Sequence, residues 1–557
     1  MHFRFIVSAL SLASALPSFA LANPAPNPQS STPSASASNT PFDFSSFHFE
    51  NAVPWLSAGN GTSNDRWASN EFILSSYTLP FVYPRWIFSA NDEVQSTPTI
   101  EGNSVYVADM SGTVWQLDIT TGKPTWQASL PTISGDSKSY SRNSPAIGTR
   151  NVIVGDQDTS TLYALSKTDG TLAWKVTLDT AQAAIVTSSP VVVNGKVYVG
   201  VASDQEALAG KTPGFVPTFR GSVVALDENT GQILWKTYTV PTGYTGGSVW
   251  EGNIAVDMTR SAIYVTSGNN YSVPPSVAAC QAVASTPAQQ DACLSPDDHI
   301  DSVLSLNMDS GTVKWSQRFT HADTWTTSCE SYGKNHATPC PVPTGLDTDF
   351  GAGANLFTIT SNGQQVDAVG AGQKSGSYFT MNRDTGAILW GTQTGPDGNI
   401  GGIQWGSATD NQRIYVPNGN SAYVETTLIP SGQKTNGGFW SALDKNTGQI
   451  LWQTPTLAPA VGPSSKTAAR AQVPPPGTRS IVEGSVSVAN GVMYGEDVAG
   501  NFVALDAATG QLLRSIQSGG ASISAPAIVD GVLYWSSGYG SYGGTNNKVY
   551  AFWVGIQ

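Results

Sequence analysis

The residues able to do chemistry are few and unevenly spread along the 557 positions of the chain. Cys280 and Cys293 flank one insertion, Cys329 and Cys340 another; of the three possible connectivities, local pairing is preferred and gives two loop staples. No C-x-x-C pair and no nearby paired histidine accompanies them, which argues against a zinc site, and no C-x-x-C-H is present to attach a c-type haem. Acids gather around the second staple. Asp323 precedes Cys329, while Asp347 and Asp349 follow Cys340, so a disulfide here would hold these carboxylates together. Read alone, Asp323 suits the cap of a turn, and Glu206 is an ordinary loop acid.

What must position these residues is a repeat. Ala225 to Trp235 reads as a strand ending at Leu226-Asp227, a turn at Thr230-Gly231 where glycine accommodates positive φ, and a returning strand carrying Trp235. Copies recur with Trp126, Trp174, Trp315, Trp390 and Trp452, and a seventh has Arg514 in place of Trp. An eighth is split: Val549 to Phe552 supplies the strand before the turn, and Arg85 to Phe88, near the other terminus, the strand after it. Between turns lie strand pairs such as Ser188 to Val193 with Lys196 to Val199. Each unit thus offers about four short antiparallel strands, a propeller blade. The sequence therefore predicts an all-β, eight-bladed β-propeller over residues 46–557, with four-stranded antiparallel blades and a ring closed by N- and C-terminal strands. The repeat tryptophans are expected to pack on neighbouring blades. Excess length falls in loops, most of it between Ser267 and Phe350, with less at Ala202 to Arg220 and Tyr423 to Phe439.

Composition agrees with that architecture. Charged residues make up only 12% while Gly (56), Pro (34) and Trp (16) are abundant. The formal charge of −13 argues against nucleic acid or an anionic membrane as partner. Met1 to Ala22 has Arg4, an apolar run from Phe5 to Leu16 and small residues at Ala20 and Ala22, which reads as a cleaved signal peptide. Residues 23–45 form a Ser/Pro/Ala-rich leader expected to be disordered, and no further segment reads as a transmembrane anchor. The expected location is secreted or extracellular, periplasmic in a bacterium. Asn60-Gly61-Thr62 and Asn270-Tyr271-Ser272 are glycosylation sequons, of which the first is the plausible acceptor.

From Trp55 to Phe552 the repeat resembles that of the quinoproteins, eight-bladed alcohol dehydrogenases that use pyrroloquinoline quinone (PQQ), in their polyvinyl-alcohol-dehydrogenase-like branch. Four segments resemble that family's site. In Thr187-Ser188-Ser189-Pro190 and Gly200 to Glu206, the resemblance places Thr187 and Ser203 on the quinone and makes Glu206 a Ca²⁺ ligand. In Gly246 to Trp250 it makes Trp250 the floor under the quinone, and in Ser267 to Ser272 it makes Asn269 the second Ca²⁺ ligand. In Gly370 to Gly376 it sets Lys374 beside the reacting oxygen. It further implies that Arg142 pairs with a quinone carboxylate and that Trp405 and Asn418 line the pocket.

The chain departs from the family at its base. Where the family has His-Asp-x-Trp-Asp, the segment here is His321-Ala322-Asp323-Thr324-Trp325-Thr326, with Thr326 in place of the final Asp. Asp323 is the first candidate for the base, with Asp347 and Asp349 in reserve; the family's adjacent Cys-Cys pair is absent. The resemblance implies a PQQ- and Ca²⁺-dependent enzyme that oxidises an alcohol, small or polymeric, and passes electrons to a separate acceptor. The competing expectation is a non-catalytic propeller that binds a protein or polymer, since scaffold propellers share the repeat.

Overall fold

In each repeat an aspartate builds its own turn. Asp227 Oδ1 accepts from Asn229 N (3.0 Å), Thr230 N (2.9 Å) and Thr230 Oγ1 (2.8 Å), and Gly231 N donates back to Asp227 O (2.9 Å). Gly231 has φ of 71°, and a Cβ on it would lie 2.6 Å from the ring of Trp174 in the preceding unit. The glycine is therefore required twice, by conformation and by the approach of the indole. Trp174 Nε1 donates to Glu228 O (2.9 Å) in the same turn. The same indole-on-glycine contact joins Trp126 to Gly170, Trp235 to Gly311, Trp315 to Gly386, Trp390 to Gly448 and Trp452 to Gly510, so each repeat tryptophan binds one unit to the next.

The computed structural model describes residues 53–555 apart from 251–252, 331–337, 399, 458–478 and 543–545; the expected signal peptide and leader lie outside the described residues. Eight antiparallel sheets form the ring of an eight-bladed propeller. Blade 1 comprises Thr99–Glu101, Ser104–Ala108, Thr113–Asp118 and Pro124–Ser129, hydrogen-bonded in that order. Blade 8 takes Ala527–Val529, Val532–Ser537 and Lys548–Val554 from the C-terminal end, and its outer strand, Val82–Ser89, from the N-terminal end. The split repeat thus closes the ring. Its register pairs Trp86 with Ala551 and Phe88 with Val549. Arg514 has no complete turn ahead of it to pack on; its guanidinium donates instead to Leu79 O (2.8 Å), Pro80 O (2.9 Å) and Val82 O (2.7 Å).

The segment before blade 8's outer strand forms a girdle around the inner hairpins. Trp55 pairs with Ile100 of blade 1, and Leu56 O accepts from Ile147 N of blade 2. Thr62 O, Ser63 O, Asp65 O and Arg66 O accept from Val256 N, Leu356 N, Thr409 N and Val488 N of blades 4 to 7. Inner-strand amides that would otherwise be unpaired at an edge are satisfied one blade at a time.

Candidate active site

The inserted segments of blades 3, 4 and 5 converge. In blade 3 the strand Lys196–Ser203 runs into a helix, Gln205–Lys211, that carries Glu206. In blade 4 the strand Ala262–Thr266 delivers Ser267-Gly268-Asn269, and in blade 5 Gln364–Gly372 delivers Lys374. Asp349 lies where they meet. It is fully buried, with Oδ2 accepting from Trp250 Nε1 (2.9 Å) and Lys374 Nζ (3.1 Å) and Oδ1 from Asn269 N (2.6 Å). Lys374 Nζ also bonds Asp347 Oδ1 (2.8 Å). Gly268 makes this approach possible, because a Cβ there would lie 2.6 Å from Asp349 Oδ1 and 2.8 Å from Trp250 Nε1.

Asp323 lies one layer back. Its carboxylate accepts from Asp347 N (3.2 Å), Thr348 N (2.8 Å) and Thr348 Oγ1 (2.9 Å), so it holds the turn that presents Asp347 and Asp349. Thr326, at the family's aspartate position, bonds Ser328 Oγ (2.7 Å). Both disulfides are local, Cys280–Cys293 and Cys329–Cys340. Residues near the second disulfide bond the Glu206 helix: Thr327 Oγ1 donates to Glu206 O (3.0 Å) and Thr338 Oγ1 to Ala209 O.

The remaining expected residues divide. Ser203 Oγ accepts from Gln205 N (2.9 Å) at the helix start, whereas Thr187 Oγ1 is buried without a hydrogen-bond partner. Arg142 stacks on Trp405 at 4.8 Å in the central channel, apart from the groups meeting at Asp349. Asn418 is fully buried and accepts from Asn420 N (3.1 Å) in blade 6. Neither sequon offers a free amide: Asn60 Nδ2 donates to Trp67 O (2.8 Å), and Asn270, fully buried, donates to Asp298 Oδ2 (2.9 Å). Sequence reasoning passed over two residues. Tyr271, in the segment already quoted, bonds Ser248 Oγ (2.7 Å) and Ser203 O (3.0 Å) and so links blades 3 and 4 behind the site. Asp301 is a buried acid beside Asp323, in a segment without any motif.

Charge is unbalanced here. Burial, and then Asp323, raise the Asp301 carboxyl far above the usual range; burial also raises Asp347, against the pull of Lys374. Burial alone would lower Lys374, but Asp347 and Asp349 more than reverse it, and the ammonium stays charged. Glu206 contributes to the field on both Lys374 and Asp347. One lysine thus faces several buried acids, a surplus that favours a cation. Asn269 Oδ1 is buried with no hydrogen-bond partner, its Nδ2 being fixed by Asn270 O (3.0 Å) and Trp325 O (2.9 Å). An orphaned amide oxygen near a carboxylate fits a hard cation. Among the described residues no three His, Cys, Asp or Glu converge as ligands, so such a cation would need further oxygens from a bound ligand.

The polyvinylalcohol dehydrogenase of a Sphingopyxis species is 26% identical over 545 residues, 91% of this chain and 75% of that protein, and one from a Pseudomonas species is 27% identical over 65% of this chain and 54% of that protein. The quinoprotein alcohol dehydrogenase PedH of Pseudomonas putida is 24% identical over 60% of this chain. The chain is a homologue of PQQ quinoprotein alcohol dehydrogenases. A family profile described as outer membrane protein assembly factor BamB matches residues 83–212 and 436–552, on either side of the Asn269, Asp349 and Lys374 segments. In fold, this homologue matches the quinohemoprotein alcohol dehydrogenase of Comamonas testosteroni (TM-score 0.65, 17% identity, 91% of this chain and 81% of that one). A europium-containing methanol dehydrogenase matches similarly (TM-score 0.64, 15% identity, 90% of this chain and 98% of that one).

Proposed function

We propose that the protein is a secreted, PQQ- and Ca²⁺-dependent alcohol dehydrogenase with Asp349 as its base. The observation that carries this reading is the convergence of Trp250, Asn269 and Lys374 on the Asp349 carboxylate. When bound, the quinone would supply the electron acceptor and the cation would polarise its carbonyl. Glu206 and Asn269 Oδ1 would hold the cation, and Trp250 would offer an aromatic face to the quinone. Asp349 takes the substrate's hydroxyl proton. Lys374, held between Asp347 and Asp349, pairs with both carboxylates and offers a cationic donor to an oxygen that gains charge. Asp323 is a positioning residue, acting through the 347–348 turn. Leu346, next to Asp347 and 72% exposed, gives the rim an apolar contact suited to a secondary or polymeric alcohol.

All four cysteines of the sequence are engaged in disulfides, which supports passage of electrons to an external acceptor. The same disulfides favour an oxidising compartment, and no described helix is long and apolar enough to cross a membrane. The BamB-type match favours the second reading, a non-catalytic propeller. Reconstitution of the purified protein with PQQ and Ca²⁺, followed by dye reduction with a panel of alcohols, decides between them. Alcohol-dependent dye reduction is expected; an absence of saturable quinone binding would leave the scaffold.

A further inference from the structure

A cavity of about 30 Å³ lies in the central channel, and its described lining holds two guanidinium groups, Arg66 and Arg142, and no acid. Its depth follows from register. Ser189, Ser485 and Thr97 each stand four residues before the closing pair of their inner hairpins, at Val193, Ala489 and Glu101, and Ser524 stands five before Val529. Trp250 stands seven before the corresponding residue of blade 4, Asp257. The cavity therefore occupies the layer below Trp250, toward the girdle and away from Asp349.

Arg66 enters this layer from the girdle. Its backbone is tied to Val488, near the hairpin end, and its side chain is only 5% exposed. Nη1 donates to Ala58 O (2.9 Å), Nε has no hydrogen-bond partner, and no described carboxylate lies within ion-pair distance. A Cβ on Gly406 would lie 2.8 Å from Nε and 3.1 Å from Nη2, so the guanidinium is seated against a residue with no side chain. Burial pulls its pKa down to about 10, with no acid to offset the effect. Neighbouring Asp65 is not its ion-pair partner: that carboxyl accepts from Trp67 N (3.1 Å) instead.

The hydroxyls repeat the pattern. Ser189 Oγ accepts from Ser144 N (3.0 Å) and Ser485 Oγ from Ala525 N (3.0 Å), which leaves their protons to be donated elsewhere. Ser96 Oγ is buried without any partner. A buried guanidinium without an acid, beside hydroxyls that have protons to give, makes a chamber rich in donors.

The geometry points to an anion site beneath Trp250, in which Arg66 and the inner-strand serines bind a small inorganic anion or a simple carboxylate such as formate. A carboxylate of the quinone has the same chemistry and is the alternative source; the register separates the two, because the chamber lies below Trp250 while the quinone site proposed above lies at Asp349.

Bromide and formate are suitable probes on the cofactor-free protein. Crystals soaked in bromide are expected to show an anomalous peak against Arg66, and formate is expected to raise Tm saturably, by RT ln(1 + [L]/Kd). Arg66→Gln should abolish both while circular dichroism stays native, and Arg66→Lys should retain a weaker response, so that a folding defect in one variant does not decide the result. Loading with PQQ should leave the bromide peak in place. A wild-type protein with neither peak nor saturable shift would overturn the proposal, as would a peak that persists in Arg66→Gln. Displacement of bromide by PQQ would assign Arg66 to the cofactor instead. None of these outcomes depends on whether the protein oxidises alcohols, so the proposal and the enzyme reading can fail separately.

Discussion

At the scale of single residues, three aspartates within a short stretch divide the work by environment. Asp323 receives two backbone amides and a hydroxyl from the 347–348 turn, the pattern of a turn-holding acid, whereas Asp349 receives two side chains and one amide from blades 4 and 5. The sequence order favoured Asp323 because it stands two residues before Trp325, but sequence distance from a tryptophan does not record which way a buried carboxylate is turned. Asp323→Asn should lower stability by roughly 1–3 kcal/mol, the cost of a weakened buried network, and leave the pH profile of turnover where it was. Denaturant melts and a kcat–pH series check this; a displaced pH profile would make Asp323 the base. Lys374→Met removes the only cation among the described residues that is bonded to Asp347 and Asp349 and should destabilise the apo protein by about 3–5 kcal/mol. Added Ca²⁺ should restore more stability to that variant than to wild type, as Tm against metal concentration would show.

Elements follow from the repeat. Asp-x-x-Thr-Gly specifies a turn, glycine at positive φ specifies where it closes, and the tryptophan specifies which neighbouring turn it covers, so strand order and blade count were legible. Gly231→Ala should cost on the order of 2–4 kcal/mol, since the new Cβ meets both an unfavourable φ and the Trp174 ring. A loss below about 0.5 kcal/mol in urea unfolding would contradict the contact. The site segments were legible as segments, and Trp250, Asn269 and Lys374 do meet. The girdle was not. It bonds blades 1, 2 and 4 to 7 through one or two residues each, without periodicity, and single bridges leave no pattern in a sequence. Arg514 carried a trace of it: a guanidinium replaces an indole where the next turn is split and only carbonyls remain to be satisfied.

For the whole molecule, closure and charge set the behaviour. The ring is locked by Val82–Ser89 and by the girdle, both N-terminal, and the chain carries a formal charge of −13. Burial raises Asp65 and Asp497 to about 6 each. A folded carboxyl with a raised pKa binds protons that the unfolded chain has already released, so its contribution is most favourable below about pH 4 and is lost as pH rises through 6. Each amounts to roughly 2–3 kcal/mol, and growing self-repulsion acts in the same direction. Tm should therefore fall between pH 5 and pH 7.5. A flat or rising Tm over that window would show that the two acids are not desolvated as described. The central claim is tested most directly by a single turnover. Wild type and Asp349→Asn, each loaded with PQQ and Ca²⁺, are mixed with an alcohol in the absence of dye, and the quinone absorbance is followed. Both proteins are expected to bind PQQ with similar affinity, wild type to bleach the quinone, and the variant to do so about 10²–10⁴ times more slowly; equal rates, or no quinone binding by wild type, would contradict the account.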